Sequence, residues 1–178
     1  MKPSERLAEL YAKVEAFHER VRARHKTGGI TCSPGCDGCC QEGLTVTALE
    51  ASVIRAFLAA RGRLPTAPRP GGCALLDAEG RCTIYPVRPL ICRAHGLPLR
   101  FSSATGGRAL PVIDACPKNF VGHDLRSLDP GDVLDQATLS TIVGALDAAH
   151  ADMTASPRGE RVALAALLDE HERLQGSP

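Results

Sequence analysis

Residues 32–40, "CSPGCDGCC", place four thiols at gaps of three, two and zero residues and end in the adjacent pair Cys39 and Cys40. Four more follow at Cys73, Cys82, Cys92 and Cys116, beside turns and prolines rather than in apolar helix stripes. Thiolates are soft ligands suited to zinc and iron–sulfur clusters, and two of them on a short turn can converge on one ion. Gly35 and Gly38 supply the freedom such a turn needs. Adjacent cysteines tend to point apart, so Cys39 and Cys40 are expected to face different sites or to leave one thiol outside coordination. The eight thiols, Cys32, Cys36, Cys39, Cys40, Cys73, Cys82, Cys92 and Cys116, thus read as a distributed ligand set for an iron–sulfur cluster or Zn2+. They fit two four-sulfur sites equally well as one cluster whose remaining thiols complete a second metal, stay free or serve redox exchange. The partition is open at this level.

Three neighbours are candidates to tune the bound group. Arg88 and Arg93 can stabilise thiolate charge or hydrogen-bond around the ligands, and Tyr85 can pack and donate. His95 can replace a thiolate but ranks behind the cysteines, because eight sulfurs suffice for two tetrahedral sites. His18, His25, His123, His150 and His171 lack comparable spacing and read as surface or core residues. Other chemistry is thinly supported. Asp132 and Asp135 are weak as paired carboxylates, "SATGG" lacks the lysine of a phosphate-binding loop, and Ser102, Ser103 and His123 lack a nucleophile elbow. A disulfide framework and thioredoxin-like exchange fit less well than metal, since "MKPSERLAELYAKVEAF" has no apolar leader and no βαβ setting surrounds Cys36–Cys39.

These residues need a scaffold. The chain of 178 residues is long enough to bury a core without cross-links, and its 3% aromatic content shifts that core to Leu, Val, Ile and Ala. The expectation is a mainly α, small irregular helical domain with a metal-stapled cysteine-rich loop core and short hairpins. It is read as a single domain, 1–178, with the cysteine-cluster region at 30–120 and a C-terminal helical pair at 129–175. A net charge of +1 provides no global field for nucleic acid, so none is expected as a partner. The basic run Arg20, Arg22, Arg24, His25 and Lys26 reads as a solvated helix end. No stretch reaches the roughly 18–20 apolar residues needed to cross a bilayer, so no membrane is expected and the setting reads as cytoplasmic.

Leu7, Leu10, Val14, Phe17 and Val21 predict an amphipathic helix over residues 4–26, with Ser4 as cap and "TGG" as stop. Thr47 and Glu50 form a capping box for a second helix that runs towards Gly62. Residues 64–72, "LPTAPRPGG", can only be a connector. "CALLDAEGRCTIY" reads as two extended pieces around a turn at 77–80 that brings Cys73 towards Cys82. Pro86 starts a short helical segment that ends near Gly96. Residues 97–112 suggest a hairpin, and 129–153 and 157–174 two further helices, with "TASPRG" as the turn between them.

The cysteine spacings together with "GRCTIYPVRPLICRAHG", residues 80–96, resemble the YkgJ-type cysteine-cluster family of zinc- or iron-chelating proteins. Gly80, Cys82, Ile84, Tyr85, Arg88, Pro89, Cys92 and Arg93 carry the resemblance. It departs at Ser33, Pro34 and Gly35, three residues where the commoner pattern has two. Flagellin lysine methylases carry a similar region, thought to use an iron–sulfur centre, but no S-adenosylmethionine-binding unit is visible here and that activity is not carried over. The resemblance implies metal binding, with a metal ion or cluster as the ligand. Two alternatives stand beside it: a metal-dependent redox or protein-modifying enzyme, and a metal-stabilised module that binds a protein partner.

Overall fold

The computed structural model describes residues 1–105 and 108–176, which fold into five α-helices linked by long loops and short strands. The first helix, α1 (Pro3–Arg24), buries Leu7, Leu10, Tyr11, Val14, Phe17 and Val21 on one face. Its cap is Lys2 and not the expected Ser4. Pro3 occupies the first turn, where a missing N–H costs nothing, and the Glu5 carboxylate accepts the Lys2 backbone N–H at 2.7 Å.

The mainly helical expectation holds, with more β-structure than the sequence suggested. Strand β1 (Thr45–Thr47) leads directly into α2 (Ala48–Ala59). There Thr47 accepts the Glu50 N–H at 3.2 Å, while the Glu50 carboxylate takes the Thr47 N–H at 3.1 Å, as the capping box predicts. The short α3 (Leu90–Ala94) follows a 3-10 turn at Tyr85–Val87. The expected hairpin forms as β2 (Leu99–Thr105) against β3 (Arg108–Asp114), antiparallel, with Phe101 opposite Val112. Gly106 and Gly107 of its "SATGG" turn lie outside the described residues.

Both C-terminal helices start later than expected, because each is preceded by a strand. Strand β4 (Leu134–Asp135) pairs in parallel with β2 and ends on Asp135, which caps α4 (Gln136–Thr154) by accepting the Thr138 N–H at 2.8 Å. Strand β5 (Arg161–Ala163) pairs antiparallel with β1 and enters α5 (Leu164–Gly176). Strands of two or three residues are too short to leave a period in the sequence.

Two apolar clusters form the interior. One joins α1 and α4 to Leu49, Leu90, Ala94, Leu97 and Phe120. The other joins α2 and α5 to Leu64, Leu75, Leu76 and Ile84, and it includes Cys73 with Cys40 and Cys82 packed against it. Helix α2 contributes to both, and the buried Asp147 of α4 accepts the Leu49 N–H at 2.9 Å. Among the described residues, no helix is long and apolar enough to cross a membrane.

The basic run at the end of α1 is largely exposed, as expected of a solvated end, but several of its side chains are also engaged. Arg20 donates to the Gly131 carbonyl and Arg22 to the Cys32 carbonyl, at 3.1 and 2.8 Å. Arg24 and His25 both meet the fully buried Asp132, at 2.8 and 2.9 Å. Burial raises the Asp132 pKa, but His25 and Arg24 outweigh it and hold the carboxyl below its ordinary value. Asp132 is therefore a structural anchor. Asp135, the other acid of that weak pair, is a helix cap.

Candidate metal centre

The "CSPGCDGCC" loop is a pair of tight turns. Cys36 donates its N–H to the Ser33 carbonyl at 3.0 Å and Cys40 to the Asp37 carbonyl at 2.8 Å. Gly35 sits at φ +83°, which an L side chain would resist, so it makes the first turn possible. Gly38 has no such backbone requirement.

Short backbone links then gather the distal cysteines. The Cys73 N–H donates to the Cys40 carbonyl at 2.9 Å beside a bridge from Gln41 to Gly72. Leu76 bridges to Cys82, and Thr83 donates both its N–H and its hydroxyl to the Leu75 carbonyl, at 2.9 and 2.8 Å. The turn between them closes where the Asp77 carboxylate accepts the N–H groups of Glu79 and Arg81, at 3.0 and 2.8 Å. Cys73 and Cys82 approach each other as the sequence implied.

The result is a cavity of about 580 Å³ lined by seven of the eight cysteines, all but Cys116, together with His95. All eight are free thiols. Among the described residues, no group of three or more Cys, His, Asp or Glu side chains is drawn tightly enough together to hold a metal ion as it stands.

The thiols perturb one another. The Cys40 thiol donates to the Cys39 sulfur, which brings Cys39 down to about 6 against the opposing cost of burial, with His95 helping. The same bond, then burial and the neighbours Cys39, Cys92 and Cys73 push Cys40 up. Cys92 is pushed up to about 12 by burial and by Cys82, Cys73 and Cys39, and burial likewise raises Cys82. The adjacent thiols thus perturb each other in opposite directions.

The three candidate tuning residues take different places. Arg93 is buried and fully engaged, donating to the Arg88 and Pro86 carbonyls at 2.7 and 2.8 Å and to Glu15 at 2.6 Å. It braces the backbone that carries Cys92. Arg88 lies over the Tyr85 ring at 4.1 Å and meets Glu15 at 2.8 Å, while its buried Nε has no partner. Arg88 also moderates the rise of the Cys82 and Cys92 pKa values. Tyr85 lines the cavity and is exposed. Burial works against the Glu15 charge, but the two arginines prevail and hold that carboxyl below its usual range.

Several important residues carry no motif. Glu50, noted only as a cap, also accepts the Tyr11 hydroxyl at 3.1 Å and the Leu90 N–H at 2.8 Å, joining α1, α2 and the helix that bears Cys92. Asn119 is buried. It donates to the Gly96 carbonyl at 2.7 Å and the Cys32 sulfur at 3.4 Å, and accepts the Thr31 N–H at 2.9 Å. Its position three residues after Cys116, in "CPKN", was the available signal.

Residues 31–105 match the CxxCxxCC family model, described as "Putative zinc- or iron-chelating domain". This stretch is thus similar to the cysteine-cluster domain of that family. The matched stretch contains seven of the eight cysteines, and Cys116 lies beyond it. No curated protein and no solved structure matches the chain.

Proposed function

We propose that this protein binds an iron–sulfur cluster or zinc through its eight cysteines, with Cys116 completing the set supplied by the cysteine-cluster domain. The observation that carries the reading is the convergence of seven reduced thiols on one cavity. The donor chemistry fits this group. Of the carboxylates on the cavity wall, Glu15 and Asp77 are taken by Arg88, Arg93 and Arg81 and Glu19 meets His18, so sulfur is the predominant free donor. Sulfur selects zinc and iron–sulfur over magnesium or calcium.

Thiols raised by burial are protonated and cannot ligate. Holding a thiophilic metal would require these cysteines to give up their protons, so binding would be coupled to proton release and to closure of the loops. Tyr85 and Arg88 border the bound group, and Arg93 acts through the backbone of the Cys92 segment. Eight reduced thiols suit a reducing cytoplasm.

The deciding measurement is metal and acid-labile sulfide content of anaerobically purified protein, with its visible spectrum. Iron with sulfide and a charge-transfer band selects the cluster, whereas zinc without sulfide selects tetrahedral thiolate sites. Protein purified with neither iron nor zinc overturns the reading.

A second reading, an enzyme using the metal, draws on the size of the cavity. Its volume falls within the roughly 300–1,000 Å³ of small-molecule sites, and His18, Arg22, Tyr85 and Ile91 line it besides the thiols. An open coordination position would mark this case. Addition of cyanide should then shift the visible spectrum, and an unchanged spectrum argues for closed coordination. The interaction-module alternative has less support, because α4 and α5 turn Leu139, Val143, Leu146, Leu164, Leu167 and Leu168 into the two cores.

A further inference from the structure

We propose that the eight thiols divide into two four-sulfur metal centres, an inner one of Cys40, Cys73, Cys82 and Cys92 and an outer one of Cys32, Cys36, Cys39 and Cys116. The division rests on the metal-binding reading above and deepens it by saying which sulfurs act together.

The inner four share one setting. Cys40 and Cys73 are joined by a backbone hydrogen bond, Cys82 is bridged to Leu76, and all three pack within the α2 and α5 apolar cluster. Cys92 enters from α3, whose first turn is fixed by the Glu50 carboxylate on the Leu90 N–H.

The outer four meet at another place. One turn, residues 116–119, reaches two cysteines of the loop: Asn119 donates to the Cys32 sulfur at 3.4 Å, and the Lys118 ammonium lies 3.9 Å from the Cys36 sulfur. That turn closes on itself where the Asn119 N–H donates to the Cys116 carbonyl at 2.8 Å. Gly96, at φ +94°, lies between the partners. A Cβ placed on it would meet the Cys32 sulfur at 3.2 Å, the Asn119 amide at 3.1 Å and the Cys116 Cβ at 4.0 Å. The backbone therefore leaves open the space in which Cys32 and Cys116 approach. Cys39 lines the cavity together with Cys32, Cys36 and His95, the neighbour of Gly96. The adjacent pair is the shared wall between the two centres.

The inner centre lies wholly inside the cysteine-cluster domain, whereas the outer one is incomplete without Cys116. The experiment is anaerobic titration of the reduced, metal-free full chain with Zn(II), followed by iodoacetamide labelling and mass spectrometry. The wild type is expected to take up two equivalents. Cys116→Ser is expected to take up one, which still shields Cys40, Cys73, Cys82 and Cys92. A wild type saturated by one equivalent overturns the division and leaves thiol metal binding standing. So does a Cys116→Ser chain with native circular dichroism that keeps both equivalents or loses both. A wild type that takes up no zinc overturns the division and removes zinc from the metal-binding reading as well. Should Cys116→Ser fail to fold, wild type given one equivalent decides. A shielded set that is either Cys40, Cys73, Cys82 and Cys92 or Cys32, Cys36, Cys39 and Cys116 supports the division, and a shielded set that mixes the two groups refutes it.

Discussion

Cys40, Cys73 and Cys82 belong to an apolar cluster with Ile54, Leu75, Leu76 and Ile84, while Cys32 and Cys116 are brought to Gly96 by the hydrogen bonds of a buried asparagine. The first wall is held by packing, which is strong, collective and non-directional. The second is held by a few polar bonds and one backbone conformation, which are weaker but fix position. The inner wall should therefore respond to lost volume and the outer wall to lost geometry. Loading an ion on the outer side should also order more of the chain, because less of it is fixed beforehand.

The sharpest way to break the contrast is to empty the packed wall. Leu75 is 1% exposed, and Leu75→Ala is expected to cost about 2–5 kcal/mol through lost transfer energy and the cavity left behind. Urea denaturation of the metal-free protein checks this. A loss below 1 kcal/mol would mean that the inner wall is not held by packing. The matching change on the other wall is Gly96→Ala. Its positive φ and the close approach to Cys32 and Asn119 predict a cost of about 1–3 kcal/mol. Zinc uptake should fall from two equivalents towards one, with alkylation rising at Cys32 and Cys116 first. Equal exposure of Cys73 and Cys82 would erase the distinction between the walls.

The parts of this arrangement that sequence could disclose are those set by local rules. The stripe from Leu7 to Val21 specifies α1, and Thr47 with Glu50 specifies the start of α2, because both depend on neighbours within a few residues. The short spacings from Cys32 to Cys40 disclosed the tight turns of that loop for the same reason. What stayed hidden depends on long-range contact. Nothing near Asn119 announces Thr31 and Cys32, 88 and 87 residues earlier, as its partners. Arg93 was found by type, but its engagement with backbone carbonyls and Glu15 follows from where α1 packs. The late starts of α4 and α5 came from strand pairings whose partners lie far away along the chain.

A smaller effect separates the walls by pH. The outer loop leaves from the end of α1, which Asp132 anchors through Arg24 and His25. The folded pKa of Asp132 is depressed, so its contribution is complete above the ordinary carboxylate value of about 4 and is lost as pH falls through the folded one. Asp132→Asn is expected to destabilise the metal-free protein by about 1–3 kcal/mol at pH 7 and by less at pH 3. Urea midpoints across that range test the sign. A difference that grows on acidification would show that the carboxylate is not what anchors the helix.

The smallest effect is expected where the two regions look most directly tied. Arg69 of the proline-rich connector meets Asp37 of the cysteine loop at 3.0 Å, a contact that could be mistaken for the clamp holding the loop in place. Arg69 is 62% exposed, however, so water and salt compete for the pair, and a long side chain must be ordered to form it. The Cys40 to Cys73 backbone bond fixes the same approach without it. Arg69→Ala is therefore expected to change stability by about 0–1 kcal/mol, to lose even that in high salt, and to leave zinc uptake at two equivalents. A larger loss, persisting in 1 M sodium chloride, would move the origin of the loop's position from packing and backbone bonds to charge.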